Sequence, residues 1–309
     1  MARSIIIDCD PGVDDAIALL LALAHPNQLN ILGITTVAGN VPLHYTSQNA
    51  LKICALAKAD IPVYAGCPRP MLRPLETATD VHGATGLQGT ELPAPTSQLM
   101  VQHAVAFLID TLQKAPHPIT LVTLGPLTNI AIALIQAPQI TDKIEHIVAM
   151  GGAITHGNIT PAAEFNIYVD PHAAQVVFES GIPLKLITLD TTHQVLTTAE
   201  HLTALRQLNT VVSHTAADLM AHYGTPDKER YGMDGAPLHD PCIIAYLLQP
   251  ELFTFRPTYT IVESSSSKNL GRTVIDWWGR TGKTPNVDVA ASVNTVGIYD
   301  LLLKSLSHL

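Results

Sequence analysis

The sequence predicts an α/β fold, with a mainly parallel central sheet flanked by helices in an open, doubly wound arrangement. Three observations carry this. Short β-rich runs alternate with helical runs from the start of the chain, the pattern of βαβ units. Hydrophobic residues make up 47% and charged residues only 14%, which fits extensive buried sheet and helix and excludes a disordered chain. The 309 residues show no internal repeat and no linker long enough to separate domains, so a single domain over 1–309 is expected.

In chain order, residues 4–8 form a short β-rich run, and 13–24 an almost wholly apolar helix. A strand at 30–37, a helix at 46–59 and a strand at 61–65 follow. The alternation resumes with helix 100–114, strand 119–124, helix 127–135, strand 144–150, helix 172–180 and strand 184–189. Helical stretches at 199–208 and 211–223 then precede a segment, 224–237, whose Gly, Pro and polar residues predict a loop. Helix 240–248, strands at 258–263, 273–277 and 287–292, and helix 297–306 complete the chain, with a turn at 264–267.

The formal charge is 17 − 26 = −9, without a Lys/Arg cluster. Nucleic acid and membrane surfaces are poor partners for such a chain, and a small neutral substrate suits it better. The N-terminus runs directly into a strand pattern, with no long apolar region and no small-residue cleavage site, so no secretory signal is expected. The apolar stretch 16–24 is about half a membrane span. Cys9, Cys54, Cys67 and Cys242 are scattered and form no C-x-x-C, which predicts reduced structural thiols and a cytoplasmic protein.

The segment Asp8-Cys9-Asp10-Pro11-Gly12-Val13-Asp14-Asp15 places four carboxylates at the carboxyl end of the first strand. In open α/β sheets, ligands bind at that edge. Alternation puts Asp8 and Asp10 on one side of the strand and turns Cys9 away, while Asp14 and Asp15 fall in the first helical turn. Helix capping accounts for one or two of these carboxylates. Four converging acids repel and raise one another's pKa, a conflict that a hard dication resolves through oxygen ligands.

The DCDPGVDDA segment resembles the signature of the nucleoside hydrolase family, which includes inosine–uridine preferring and ribonucleoside hydrolases. Further segments in the family's order are similar: Val37-Ala38-Gly39-Asn40, Leu124-Gly125-Pro126-Leu127-Thr128-Asn129, Pro161-Ala162-Ala163-Glu164-Phe165-Asn166 up to Asp170-Pro171, and Leu238-His239-Asp240-Pro241. The resemblance covers nearly the whole chain and implies a nucleoside-hydrolase-like fold. It also implies a Ca²⁺ site formed by Asp10, Asp15, Asp240 and the backbone carbonyl of Leu124, and homo-oligomeric assembly as dimers or tetramers. Asp14, Asn40, Asn158, Glu164 and Asn166 would grip the ribose hydroxyls, because a neutral diol is read by amide and carboxylate hydrogen bonds.

The implied reaction is hydrolysis of a ribonucleoside to ribose and free base. Asp10 is the candidate base, and His239 the candidate group assisting the leaving base. His82, expected on a loop, is the second candidate histidine. Tyr223 and Tyr231 flank the expected loop and are candidates for an aromatic wall against the base. Trp277 and Trp278 lie near the C-terminus, outside the candidate loops, and the overall pattern looks closest to bacterial pyrimidine-preferring members. Uridine and cytidine are therefore the expected substrates, with purine or mixed specificity as the alternative. A haloacid-dehalogenase-like phosphatase also carries D-x-D after its first strand, but Asp10 is followed here by Pro-Gly-Val-Asp-Asp. A non-catalytic calcium or nucleoside binder is the remaining alternative.

Overall fold

Ile5, Ile6 and Ile7 are consecutive, and all three are buried. Such a run fits a strand covered on both faces, the condition of a parallel sheet between helical layers. In the computed structural model, residues 2–231 and 234–309 are described, with the backbone alone for 224–231. The strands are β1 (Arg3–Cys9), β2 (Leu29–Thr36), β3 (Val63–Ala65), β4 (Ile119–Thr123), β5 (Ile144–Met150), β6 (Leu184–Ile187), β7 (Leu196–Thr197), β8 (Ala236–Pro237), β9 (Phe253–Val262), β10 (Thr273–Asp276) and β11 (Val287–Val293). One nine-stranded sheet runs β10-β9-β11-β6-β5-β4-β1-β2-β3, and β7 pairs with β8 separately. The pairs from β3 across to β11 are parallel, while β9 runs antiparallel to both β11 and β10.

The helices are α1 (Val13–Leu23), α2 (Leu43–Leu56), α3 (Thr79–His82), α4 (Ala104–Lys114), α5 (Thr128–Gln136), α6 (Phe165–Val169), α7 (Pro171–Phe178), α8 (Leu189–Thr192), α9 (Ala199–Gln207), α10 (Val211–Tyr231), α11 (Pro241–Leu248) and α12 (Thr295–Leu306). The core divides between the two faces of the sheet. Residues of α1, α2, α10, α11 and α12 form one layer, and residues of α4, α5 and α7 the other. Every residue of α1 from Val13 to Ala22 is buried, as befits a helix apolar all round that packs against α2, α10, α11 and α12. No helix among the described residues is long and apolar enough to cross a membrane.

The chain leaves β1 in one direction to β2 and β3, then crosses back to β4 on the other side of β1. This reversal opens a crevice beyond the carboxyl ends of β1 and β4, where Asp10 and Leu124 follow their strands. The structure departs from the sequence expectations in three places that bear on it. Residues 224–231 continue α10 instead of forming a loop, so a helix already buried through Ala216, Leu219, Met220 and Tyr223 overrides the turn residues Gly224 and Pro226. His82 ends the short helix α3 rather than lying on a loop. The strand expected at 184–189 stops at Ile187, because Leu189–Thr192 turn into α8.

Candidate active site

The site begins at the N-terminus of α1. Asp15 does what a capping carboxylate does: Oδ2 accepts from the Gly12 N–H (2.9 Å) and Oδ1 from the Asp10 N–H (3.2 Å). The other acids are not accounted for in this way. The carboxylates of Asp14, Asp15 and Asp240 come within 4.8 Å of one another, and all three residues are buried. Asp10 stands against Asp15. Its Oδ2 accepts from the Asn40 N–H (2.7 Å), while its Oδ1 is buried without a hydrogen-bond partner.

Two glycines shape this cradle. A Cβ built on Gly39 would fall 2.0 Å from Asp10 Oδ2, and one on Gly125 2.2 Å from Asp10 Oδ1. The Asp10 carboxylate is thus held between two backbone segments that only glycine allows so close. Beneath it, Asp8 Oδ1 accepts from Thr35 Oγ1 (2.5 Å) and Asn129 Nδ2 (2.7 Å), which ties the strand end to β2 and α5.

Electrostatics make the cluster unstable as a set of bare anions. Burial, and then the charge of Asp15, pushes Asp10 well above the carboxylate range, with the Asn40 N–H working the other way. Burial, and then Asp14, Asp15 and Asp10, does the same to Asp240. Burial raises Asp15 to about 6 despite its backbone hydrogen bonds. An oxygen-only donor set with an unpartnered buried oxygen at its edge fits a hard divalent cation. The closely spaced triad contains Asp14, which the resemblance assigns to ribose, while Asp10 adjoins it through Asp15.

The opposite wall comes from the loop after β5. Glu164 caps α6, accepting from the N–H groups of Asn166 (2.9 Å) and Ile167, and its Oε2 also accepts from Gly152 N–H (2.9 Å). Burial pushes its carboxyl up to about 7. Asn158 Oδ1 accepts from Phe165 N–H (2.9 Å). Asn166 Nδ2 donates to the Leu124 carbonyl (2.7 Å), and Asn40 Nδ2 to the Asp10 carbonyl and to Asp15 Oδ2. Asn40, Asn158, Glu164 and Asn166, proposed to grip a sugar, are therefore already held in place by hydrogen bonds, a preorganised site.

The third wall carries histidines. Val13 N–H donates to His82 Nδ1 (3.1 Å), so the ring is neutral with its hydrogen on Nε2, and burial lowers its pKa to about 3. His239 Nδ1 lies 2.7 Å from Thr192 Oγ1. Burial, and then His193 and His82, lowers the His239 pKa to about 3 as well. Tyr223 is buried in the same cleft, its ring 5.3 Å from that of His82. The side chain of Tyr231 lies outside the described residues.

One cleft collects these groups. Asp14, Asn40, His82, Leu124, Asn158, Glu164, Asn166, Tyr223, His239 and Asp240 all line it, while Asp10 and Asp15 sit buried behind. Sequence reasoning missed two of its polar lining residues, Asp80 and His193. No tryptophan lines it among the described residues, and Trp278 is 75% exposed elsewhere.

Over residues 5–300 the chain matches the profile of the inosine-uridine preferring nucleoside hydrolases. The chain belongs to this family. It is 47% identical over 309 residues to a pyrimidine-specific ribonucleoside hydrolase RihA of Shewanella sp. strain MR-4, covering 99% of this chain and 97% of the relative. The RihA of Photobacterium profundum is 46% identical, with 100% of both chains covered. Among solved structures, a purine-preferring ribonucleoside hydrolase from Gardnerella vaginalis superposes with a TM-score of 0.92 at 34% identity, covering 99% of this chain and 98% of that one. The chain is thus a ribonucleoside hydrolase, an N-glycosyl hydrolase acting on a small-molecule nucleoside. Family membership sets aside the phosphatase alternative.

The cradle around Asp10 makes a direct prediction for this nucleoside hydrolase. Gly125→Ala displaces the Asp10 carboxylate, and a shift of about 1 Å in such a group lowers kcat/KM by roughly 10²-fold. Ribose release with a circular-dichroism melt checks this. Parent-like activity in a folded Gly125→Ala variant contradicts the role of the cradle.

Proposed function

We propose that this nucleoside hydrolase prefers pyrimidine ribonucleosides, with Asp10 as general base and His239 assisting the leaving group. In this reading Asp10, Asp15, Asp240 and the Leu124 carbonyl hold Ca²⁺. The observation that carries it is the unpartnered buried Oδ1 of Asp10 beside the acidic triad, in a cleft whose other walls bear hydrogen-bonding amides and neutral histidines. Bound calcium would supply Lewis-acid polarisation of an attacking water and a grip on the ribose diol.

The protein's own groups do the rest. Asp14, Asn40, Asn158, Glu164 and Asn166 hold the ribose hydroxyls. Asp10 takes a proton from the attacking water. The C1′–N bond breaks through an oxocarbenium-like state, its electron pair passing to the base nitrogen, and the surrounding carboxylates stabilise the positive sugar. His239, held at Nδ1 by Thr192 Oγ1, supports the departing base, while His82 and Tyr223 flank it. A single domain over 1–309, a cytoplasmic setting for the four buried free thiols, and homo-oligomeric assembly belong to the same proposal.

Base preference rests on the relatives called pyrimidine-specific at 46–47% identity, and on a cleft without tryptophan among the described residues. A purine or mixed preference is the second reading, favoured by the purine-preferring neighbour at 34%. Reducing-sugar release from uridine, cytidine, inosine and adenosine decides between them. The expected result is a higher kcat/KM for uridine or cytidine, and a tenfold preference needs only about 1.4 kcal/mol between transition states. Clear purine preference refutes the first reading, and binding without ribose release from any of the four would indicate a non-catalytic binder.

A further inference from the structure

His193 lines the cleft together with His82 and His239. Its ring centroid is 5.6 Å from that of His239, with the planes inclined at 56°. The segment that carries it is held at several points. The His193 N–H closes α8 onto the Leu189 carbonyl (2.8 Å), and its neighbour Thr192 touches His239 Nδ1 through Oγ1 (2.7 Å). Asp190, in the same short helix, accepts from Ile154 N–H (2.6 Å) and from Thr155 Oγ1 (2.5 Å) in the loop that continues to Asn158. Residues 190–193 therefore join the loop on the sugar side to the histidine on the leaving-group side.

A histidine at a helix C-terminus is ordinarily explained by the last carbonyls and the dipole. Here the backbone N–H of His193 makes that contact, and the imidazole lines the substrate cleft beside that of His239. Burial lowers the His193 pKa, with the Asp190 charge partly opposing it. A neutral imidazole carries one donor and one acceptor nitrogen. The two nitrogens point apart, so one of them meets one polar group of a base, and a pyrimidine offers such a group along its N3–C4 edge, either the ring nitrogen or the exocyclic carbonyl or amine.

We propose that His193 is a specificity-determining residue that hydrogen-bonds the polar edge of the nucleobase. The proposal rests on the reading of this cleft as the nucleoside site. It separates two histidine functions: His239 assists the breaking bond, and His193 recognises the base.

The test compares the parent enzyme with His193→Ala and His193→Gln on two ligands. One is uridine, followed by kcat and KM. The other is a base-less imino-ribitol, followed by its inhibition constant. His193→Ala is expected to lower kcat/KM for uridine by roughly tenfold or more, as a lost base contact does, while inhibition by the imino-ribitol stays unchanged. His193→Gln keeps a donor and an acceptor and is expected to recover most of the loss. Equal weakening of both ligands would reveal a merely structural role and overturn the proposal. So would uridine turnover indifferent to His193→Ala, or a Gln variant as poor as the Ala variant. A parent enzyme that releases ribose from no nucleoside overturns the reading of the site itself, a different outcome from an active parent indifferent to His193.

Discussion

Treatment with a calcium chelator is expected to abolish ribose release, with a loss of at least about 10³-fold, and added Ca²⁺ to restore it. The reason is the charge balance of the cleft. Asp14, Asp15 and Asp240 crowd within 4.8 Å, and Asp10 adjoins them through its N–H to Asp15. The described ion pairs lie elsewhere: Arg73–Glu76, Lys114–Asp110, Lys185–Asp288 and Arg206–Asp218 involve none of these acids. A bound cation would keep these carboxylates ionised at neutral pH. Chelation should therefore also lower the melting temperature, since a ligand bound only by the native state stabilises it. Asp10→Asn should weaken both calcium affinity, read by calorimetry, and catalysis in the calcium-saturated enzyme. Full activity in a metal-free preparation would sink the calcium reading, whatever the fate of the other residues.

The alternation of strand and helix was legible because parallel strands buried on both faces leave continuous apolar runs, as in Ile5, Ile6 and Ile7. The acidic edge was legible for a different reason. Asp8, Asp10, Asp14 and Asp15 are local in sequence, and the strand-to-helix turn between them is set by Pro11-Gly12. Elements whose identity depends on long-range contacts were harder to read. Helix α10 runs through Gly224 and Pro226, residues whose local preference is a turn, because its earlier turns are anchored in the core. Helix α8 is four residues long and follows β6 almost without a break, so its sequence reads as more strand. His193 was hidden for a related reason. It is one of 14 histidines, and only the turn of α8 at the end of β6 brings it beside His239, 46 positions further along the chain. The structure also adds what no motif discloses: Gly39 and Gly125 are required by the closeness of the Asp10 carboxylate rather than by a backbone turn.

His239→Ala is expected to lower kcat on natural nucleosides by roughly 10²- to 10⁴-fold, the span of general acid–base assistance. Calcium affinity and ribose binding should stay close to those of the parent. Burial favours the neutral imidazole, so the help proposed for it is a ring N–H offered to the departing base as the C1′–N bond breaks, rather than a standing positive charge. When the Thr192 hydroxyl donates to Nδ1 at 2.7 Å, the ring hydrogen is left on Nε2. The cost of losing this group depends on how much the leaving group needs it. Uridine expels a poor leaving group and should suffer the full loss. A p-nitrophenyl riboside expels a stable phenolate, needs little protonation, and should be cleaved almost as fast by the variant as by the parent. Misfolding or lost metal would slow both substrates alike, so the contrast isolates leaving-group assistance. If His239→Ala slows the two substrates equally while calcium affinity is unchanged, His239 is not the assisting group. His82, neutral and in the same cleft, with Nδ1 engaged by Val13 and the hydrogen on Nε2, then takes its place.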